Sequence, residues 1–174
     1  GLGSVVGASI SVLMPVFARE VYEGGSLELG YLMGSMGAGA LVGAFNLARR
    51  TSVSKIERVI GYAGLTTGVA LLLFSITQHL AIAMCLLFVM GASQTMLAAS
   101  TNTIIQSSTP DHLRGRIMSL FSMIFIGMMP MGGLLAGLLA QGQGAAHTVQ
   151  LFAGVCVLGS LWFLAYVPSF KEKE

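Results

Sequence analysis

Residues 80–105 read LAIAMCLLFVMGASQTMLAASTNTII, a stretch of 26 residues without Asp, Glu, Lys, Arg or His. A helix needs about 20 consecutive, mostly apolar residues to cross the hydrocarbon core of a bilayer. In lipid, every backbone N–H and C=O must be paired, and a helix satisfies these groups within a single segment. The stretch therefore predicts a transmembrane helix.

Similar segments recur along the chain, and none has Asp, Glu, Lys or Arg in its interior. With residues 80–105, the predicted membrane helices are residues 2–18, 29–48, 59–76, 117–140 and 149–167. Only 9% of the residues are charged, against about 25% in a typical soluble domain. The period-two alternation of a membrane β-barrel is absent. We therefore expect an all-α membrane protein with six transmembrane helices.

The basic residues lie almost entirely on one side of this predicted topology. Eight belong to the connections between helices two and three and between four and five, or to the C-terminal tail: Arg49, Arg50, Lys55, Arg58, Arg114, Arg116, Lys171 and Lys173. The opposite connections carry only Arg19. Because short cytoplasmic loops are enriched in Lys and Arg, both ends of the chain are expected in the cytoplasm.

A weak internal repeat relates the second and fifth helices. Gly39 and Gly43 have counterparts in Gly133 and Gly137, and each pair lies in the middle helix of a consecutive triplet. Three crossings reverse the chain, so we expect two inverted three-helix repeats, as in half of a twelve-helix transporter. Glycines four apart let helix backbones approach closely. They serve either static packing or a surface that closes during transport.

The predicted fourth helix has a polar face that includes Gln94, Thr101 and Asn102. Gln and Asn side chains are costly to expose to lipid. Two interpretations of Gln94 and Asn102 stay open at this point. They either line a substrate cavity or form hydrogen bonds between helices.

The predicted fifth helix has a mostly apolar face, formed by Met118, Ser122, Phe125 and Met129. Methionine adapts to varied apolar ligands, which makes these residues cavity candidates. Plain packing or lipid contact is the alternative. Pro130 removes a backbone hydrogen bond and is expected to kink this helix in the membrane.

The connection between helices four and five is predicted as a short cytoplasmic turn at the interface. Thr109 is a potential N-cap, Pro110 suits the first helical position, and Asp111 lies near the positive end of the helix dipole. Arg114 and Arg116 are then available for phosphates or acidic partners.

Several function classes find no support in the sequence. There is no glycine-lysine phosphate loop, no His or Cys spacing typical of a metal site, and no catalytic constellation at membrane depth. We therefore expect a protein that is not an enzyme, has no cofactor or metal, and does not bind nucleic acid. No predicted helix offers an acid or histidine in its interior for proton coupling.

Several motifs bring a family resemblance. Residues 13–22 (LMPVFAREVY), 30–43 (GYLMGSMGAGALVG), 106–120 (QSSTPDHLRGRIMSL) and 130–137 (PMGGLLAG) resemble the C-terminal half of major facilitator superfamily transporters. The bacterial branch with the enterobactin exporter and macrolide efflux proteins is the most similar. The superfamily's acidic Asp-Arg loop signature is degenerate here, at Asn46 to Arg50, so a gating salt bridge is not carried over.

The resemblance implies that residues 1–174 are the C-terminal six-helix half of a transporter in a bacterial inner membrane. Helices one, two, four and five would face a cavity shared with a missing N-terminal half, and helices three and six would face lipid. The implied function is secondary active efflux of a drug- or siderophore-like small molecule. The implied mechanism is alternating access with antiporter-type exchange. An importer of the same fold and a non-transporting membrane scaffold remain alternatives.

Overall fold

The computed structural model of the protein describes residues 2–49 and 56–171. Within these residues every regular element is an α-helix. The helices are α1 (Leu2–Glu20), α2 (Ser26–Ala48), α3 (Ile56–Ile76), α4 (Leu80–Ser108), α5 (Asp111–Gln143) and α6 (Ala145–Lys171). The predicted all-α class and the order of the six helices are confirmed.

Five of the described helices, α2 to α6, are long and apolar enough to cross a membrane. The described part of α1 falls outside this group, and its last turn carries Arg19 and Glu20. The helices extend beyond the predicted apolar segments at their polar ends, most clearly in α5, which begins at Asp111 rather than at residue 117. Hydropathy marks the part of a helix that lies in lipid, whereas hydrogen bonding decides where the helix ends.

The predicted turn between α4 and α5 is shorter than expected. Only residues 109 and 110 separate the two helices, so Asp111, Arg114 and Arg116 lie on the first turns of α5 and not in a loop. Pro110 occupies the N-cap position. Thr109 does not cap α5, because its hydroxyl donates instead to the Ile105 carbonyl in the last turn of α4, at 2.5 Å.

Helices α2 and α4 cross with their backbones in contact. Gly39 and Gly43 are buried, and a Cβ atom on either would overlap the backbone of α4, at Phe88 and Ala92 respectively. On the opposite helix, a Cβ on Gly91 of α4 would overlap the Met36 carbonyl of α2. Residue numbers increase together along the contact, so the two helices run parallel.

A second glycine-lined contact joins α3 to α6. Cβ atoms on Gly61, Gly64 and Gly68 would meet Leu164, Ser160 and Val157 of α6. The numbers run in opposite directions, so these helices are antiparallel. The Cys156 thiol donates to the Gly64 carbonyl at 3.4 Å, and as a free thiol it therefore serves helix packing.

Helix α1 crosses α5 at Gly132. A Cβ there would lie 2.7 Å from the Val5 carbonyl oxygen, and the Ser9 hydroxyl donates to the Gly132 carbonyl at 3.3 Å. The backbones thus approach each other at Gly132 and not at Gly133. A Cβ on Gly133 would meet only the Val12 side chain, at 3.1 Å. A Cβ on Gly137 would meet open space.

The remaining core links α1 to α3. The buried rings of Phe17 and Phe74 lie with their centroids 4.8 Å apart. At the same end, the Tyr22 hydroxyl donates to the Thr77 carbonyl at 3.1 Å, and burial raises the pKa of Tyr22 to about 12. Tyr22 therefore stays a neutral donor at physiological pH and ties the α1–α2 connection to the end of α3.

The α2/α4 crossing gives the first prediction. Gly39→Leu should lower stability by about 1–3 kcal/mol or more, because a larger residue must separate two backbones in a packed interior. Gly37→Leu is the matched control, since a Cβ on Gly37 would meet no atom within 4 Å. Thermal unfolding of the purified variants in detergent measures both, and equal losses would contradict the assigned contact.

Candidate functional site

A half-open cavity between the helices of this unit has a volume of about 420 Å³. It is bounded by five helices, all except α2. Its walls are formed by Gly3, Ser4, Ile60, Gly61, Gly64, Gln94, Leu97, Ala98, Thr101, Phe121, Phe125, Cys156, Gly159, Ser160 and Phe163. Pockets of about 300–1,000 Å³ with mostly apolar walls and a few polar groups are typical of small-molecule sites.

Among the residues that the structure describes, no Asp, Glu, Lys, Arg or His lines this cavity. The polar groups that could orient a ligand belong to Ser4, Gln94, Thr101, Cys156 and Ser160. The Thr101 hydroxyl is already engaged, because it donates to the Leu97 carbonyl at 2.8 Å. Three phenylalanine rings and several glycines complete the walls. The chemistry offered is therefore apolar contact with a few neutral hydrogen-bonding groups.

Gln94 combines the two interpretations that the sequence left open. It lines the cavity, and its Nε2 donates to the Gly3 carbonyl of α1 at 2.6 Å. Its Oε1 is buried and has no hydrogen-bond partner within the described residues. A buried amide oxygen without a partner is costly. Gln94 therefore ties α4 to α1 while it retains one unused acceptor.

The other polar candidate of α4, Asn102, lies away from the cavity. Its Oδ1 accepts a hydrogen bond from Gln106 Nε2, one turn further along the same helix, at 3.1 Å. The pair is exposed rather than interhelical. The hydrogen bond of Asn102 therefore lies within α4 and not between helices, and its place in a cavity shared with a missing half stays a prediction.

The four candidates of α5 separate in the structure. Phe125 lines the cavity together with Phe121, and their ring centroids lie 5.9 Å apart. Met118 is half-buried, whereas Ser122 and Met129 are exposed, and none of these three lines the cavity. Pro130 is also exposed, and α5 continues through it without a break in the helix.

Part of the cavity wall was missed by sequence reasoning. Phe121 lies one helical turn before Phe125, so the aromatic pair was a signal available in the sequence. The walls from α3 and α6, including Gly61, Ser160 and Phe163, carry no such signal. These walls lie inside the six-helix unit, so the expectation that α3 and α6 face lipid, and not the cavity shared with a missing half, stays a prediction.

The candidate residues at the start of α5 form a separate cluster. Arg114 and Asp111 make an ion pair of 2.7 Å, three residues apart on the first turn. Both side chains are well exposed, so the pair contributes little to stability. Arg116 is exposed as well. Among the described residues, no group of three or more His, Cys, Asp or Glu side chains could hold a metal ion.

Comparison with known proteins assigns the family. Residues 3–174 match the model of the transmembrane secretion effector family, a family of major facilitator superfamily transporters. The chain belongs to this family. Membership identifies it as part of a transport protein and not as an enzyme.

Curated relatives agree with the family match. The multidrug efflux pump Tap of Mycolicibacterium fortuitum is 28% identical over 165 residues, which cover 94% of this chain and 39% of that protein. The Tap pump of Mycobacterium tuberculosis strain H37Rv is 28% identical over 164 residues, which cover 94% of this chain and 38% of that protein. The chain thus spans about two fifths of the length of these relatives. No solved structure matches the chain.

The bond from Gln94 gives the second prediction. Gln94→Leu removes the link to Gly3 and should cost about 1 kcal/mol or less, which is the usual worth of a hydrogen bond between membrane helices. Asn102→Leu serves as the control, because Asn102 bonds only within α4. Thermal unfolding of both variants checks the difference. A larger loss for Asn102→Leu would mean that the Gln94 bond does not hold α1 to α4.

Proposed function

We propose that this chain is the C-terminal six-helix half of a transporter that exports small molecules by secondary active transport. Its family and the efflux activity named for its relatives support this function. The chain's share of those relatives' length supports a second, N-terminal half. The two halves would rock against each other around the substrate, which is alternating access.

The proposed two inverted three-helix repeats find support in the helix contacts. Helix α2 packs against α4, and α5 packs against α1. An exchange of the two triplets replaces α1, α2 and α3 by α4, α5 and α6, and the reverse. This exchange turns the pair α2 and α4 into the pair α5 and α1. The same exchange turns the pair α3 and α4 into the pair α6 and α1, which is also in contact. In both repeats a middle-helix glycine, Gly39 or Gly132, meets the backbone of the other triplet's first helix.

The cavity inside this half supports the proposed substrate class, as a side pocket of the larger cavity that the two halves would share. Its charge-free lining and its phenylalanine rings suit an uncharged or amphiphilic molecule with a large apolar surface. Gln94 supplies the cavity with a buried acceptor that lacks a partner among the described residues. A few neutral polar groups in an apolar site select weakly between related molecules. We therefore infer a drug-like cargo of broad chemical range, with siderophore-like molecules as a narrower possibility within this class.

The proposed orientation puts both ends of the chain in the cytoplasm of a bacterial cell. Arg58, Arg114 and Arg116 lie on the first turns of α3 and α5, Arg49 lies at the C-terminal end of α2, and Arg19 lies on the last turn of α1. The proposed topology puts the first four at the cytoplasmic side and Arg19 at the other side. Arg50, Lys55 and Lys173, which the sequence placed with the first group, lie outside the described residues. The exposed aromatic pair Trp162 and Tyr166, with centroids 5.0 Å apart, is typical of a membrane interface.

A direct test of the function uses the full-length gene product in inside-out membrane vesicles. Energised vesicles should accumulate a fluorescent amphiphilic dye, as an exporter requires. Ala98→Phe, which places a ring in the cavity wall, should lower the accumulation rate about tenfold or more for a bulky dye. Ala81→Phe, on an exposed part of the same helix, should leave the rate near that of the unmodified protein.

Three outcomes would contradict parts of this proposal. Uptake only into right-side-out vesicles would identify an importer. No energy-dependent movement in either direction would favour a non-transporting scaffold. Equal effects of Ala98→Phe and Ala81→Phe, with normal protein levels, would show that the cavity does not hold the cargo.

The orientation has its own test in intact cells. Ser108→Cys and Ser26→Cys are exposed positions at opposite ends of the helices, and each is placed in a background without Cys85 and Cys156. A membrane-impermeant maleimide should label Ser26→Cys and should label Ser108→Cys only after the cells are opened. The reverse pattern would invert the proposed topology.

A further inference from the structure

A groove runs along the outer surface of α3 and α4, separate from the cavity described above. Its first part has a volume of about 570 Å³ and begins at Arg58 and Tyr62. Its second part, of about 280 Å³, ends at Leu73. The two parts share Thr66 and Val89, so they form one continuous groove.

The groove has a cation at one end and apolar walls along the rest. Arg58 is exposed and, within the described residues, has no ion-pair partner, in contrast to Arg114 with Asp111 at 2.7 Å. The Thr66 hydroxyl donates to the Tyr62 carbonyl at 2.8 Å. The Ser93 hydroxyl donates to the Val89 carbonyl at 2.8 Å. These internal bonds leave Arg58 as the charged group of the groove, with the exposed Tyr62 side chain beside it.

The length of the groove fits one membrane leaflet. Arg58 and Leu73 are fifteen residues apart on α3, which is about 22 Å at a rise of 1.5 Å per residue. Half of a bilayer, headgroups included, is about 20–22 Å thick. A lipid with its phosphate at Arg58 would therefore extend its acyl chain along the groove as far as Leu73.

We propose that this groove binds one anionic glycerophospholipid, with its headgroup at Arg58 and one acyl chain between α3 and α4. The charge of Arg58 complements an anionic headgroup, and the exposed side chains of Val69, Leu73 and Val89 cover the acyl chain. A zwitterionic lipid fits the same apolar walls but gains less from the cation. The site depends on membrane insertion of α3 and α4, and neither on transport nor on orientation.

The test places a fluorophore in the groove of the full-length gene product. Val69→Cys, in a background without other cysteines, is labelled with bimane and reconstituted in symmetric vesicles. The vesicles contain phosphatidylethanolamine and phosphatidylglycerol, one of which carries brominated acyl chains that quench the label on contact. About 1 kcal/mol per cation near anionic headgroups corresponds to an approximately fivefold preference for phosphatidylglycerol.

Two kinds of control isolate the groove and the cation. A label at Leu158→Cys, on a well-exposed part of α6, should show a preference near one. Arg58→Gln should reduce the preference at Val69→Cys to the same level, whereas Arg116→Gln should leave it near fivefold. Circular dichroism confirms that the variants are folded.

Each contrary result overturns the proposal. Equal quenching by both lipids at Val69→Cys would make the groove an ordinary lipid contact. A preference that survives Arg58→Gln would remove the headgroup assignment. A label that neither lipid quenches would show that protein covers the groove, for example a second copy of the chain. None of these results bears on whether the protein exports its cargo.

Discussion

The direct contact between the backbones of α2 and α4 is the interaction on which the rest of the unit depends. Lipid chains are as apolar as leucine side chains, so burial alone gives membrane helices little reason to associate. Close approach restores van der Waals attraction, and Gly39, Gly43 and Gly91 permit it because they have no side chains. Helix α4 also packs against α3, and its position is therefore set from two sides.

The fixed position of α4 explains why its polar face looks inward. With Gly91 against α2 and Ser93 bonded to Thr67 of α3 at 3.0 Å, Gln94 is directed toward the start of α1. The same helix then presents Thr101 to the cavity. Polar side chains on α4 thus have two roles. Ser93 and Gln94 form hydrogen bonds to other helices, and Gln94 also gives the cavity an acceptor without a partner among the described residues.

Much of the fold was predictable because membrane helices must be long, apolar and internally hydrogen-bonded. The ends were not, because Asp111 and Arg114 are polar yet lie on the first turn of α5, where hydropathy predicts a loop. The site was predictable only in part. Gln94 and Thr101 stood out as polar residues on an apolar helix. Asn102 instead accepts a hydrogen bond from Gln106 on the same helix. Their spacing of four residues already allowed this pairing. The walls from α3 and α6 consist of small and aromatic residues, which any packed membrane helix contains.

The cavity and the outer groove differ in charge, and under the two proposals above this difference would separate cargo from lipid. The cavity lining has no charge, so an anionic headgroup would lose its hydration there without gaining a cation in exchange. The groove offers Arg58 at its mouth, where water and headgroups still solvate the charge. An uncharged amphiphile meets the reverse situation, because the cavity offers apolar walls from five helices whereas the groove offers walls from two. On the proposed function, the placement of Arg58 near the start of α3 would keep anionic lipid and an uncharged cargo at separate sites.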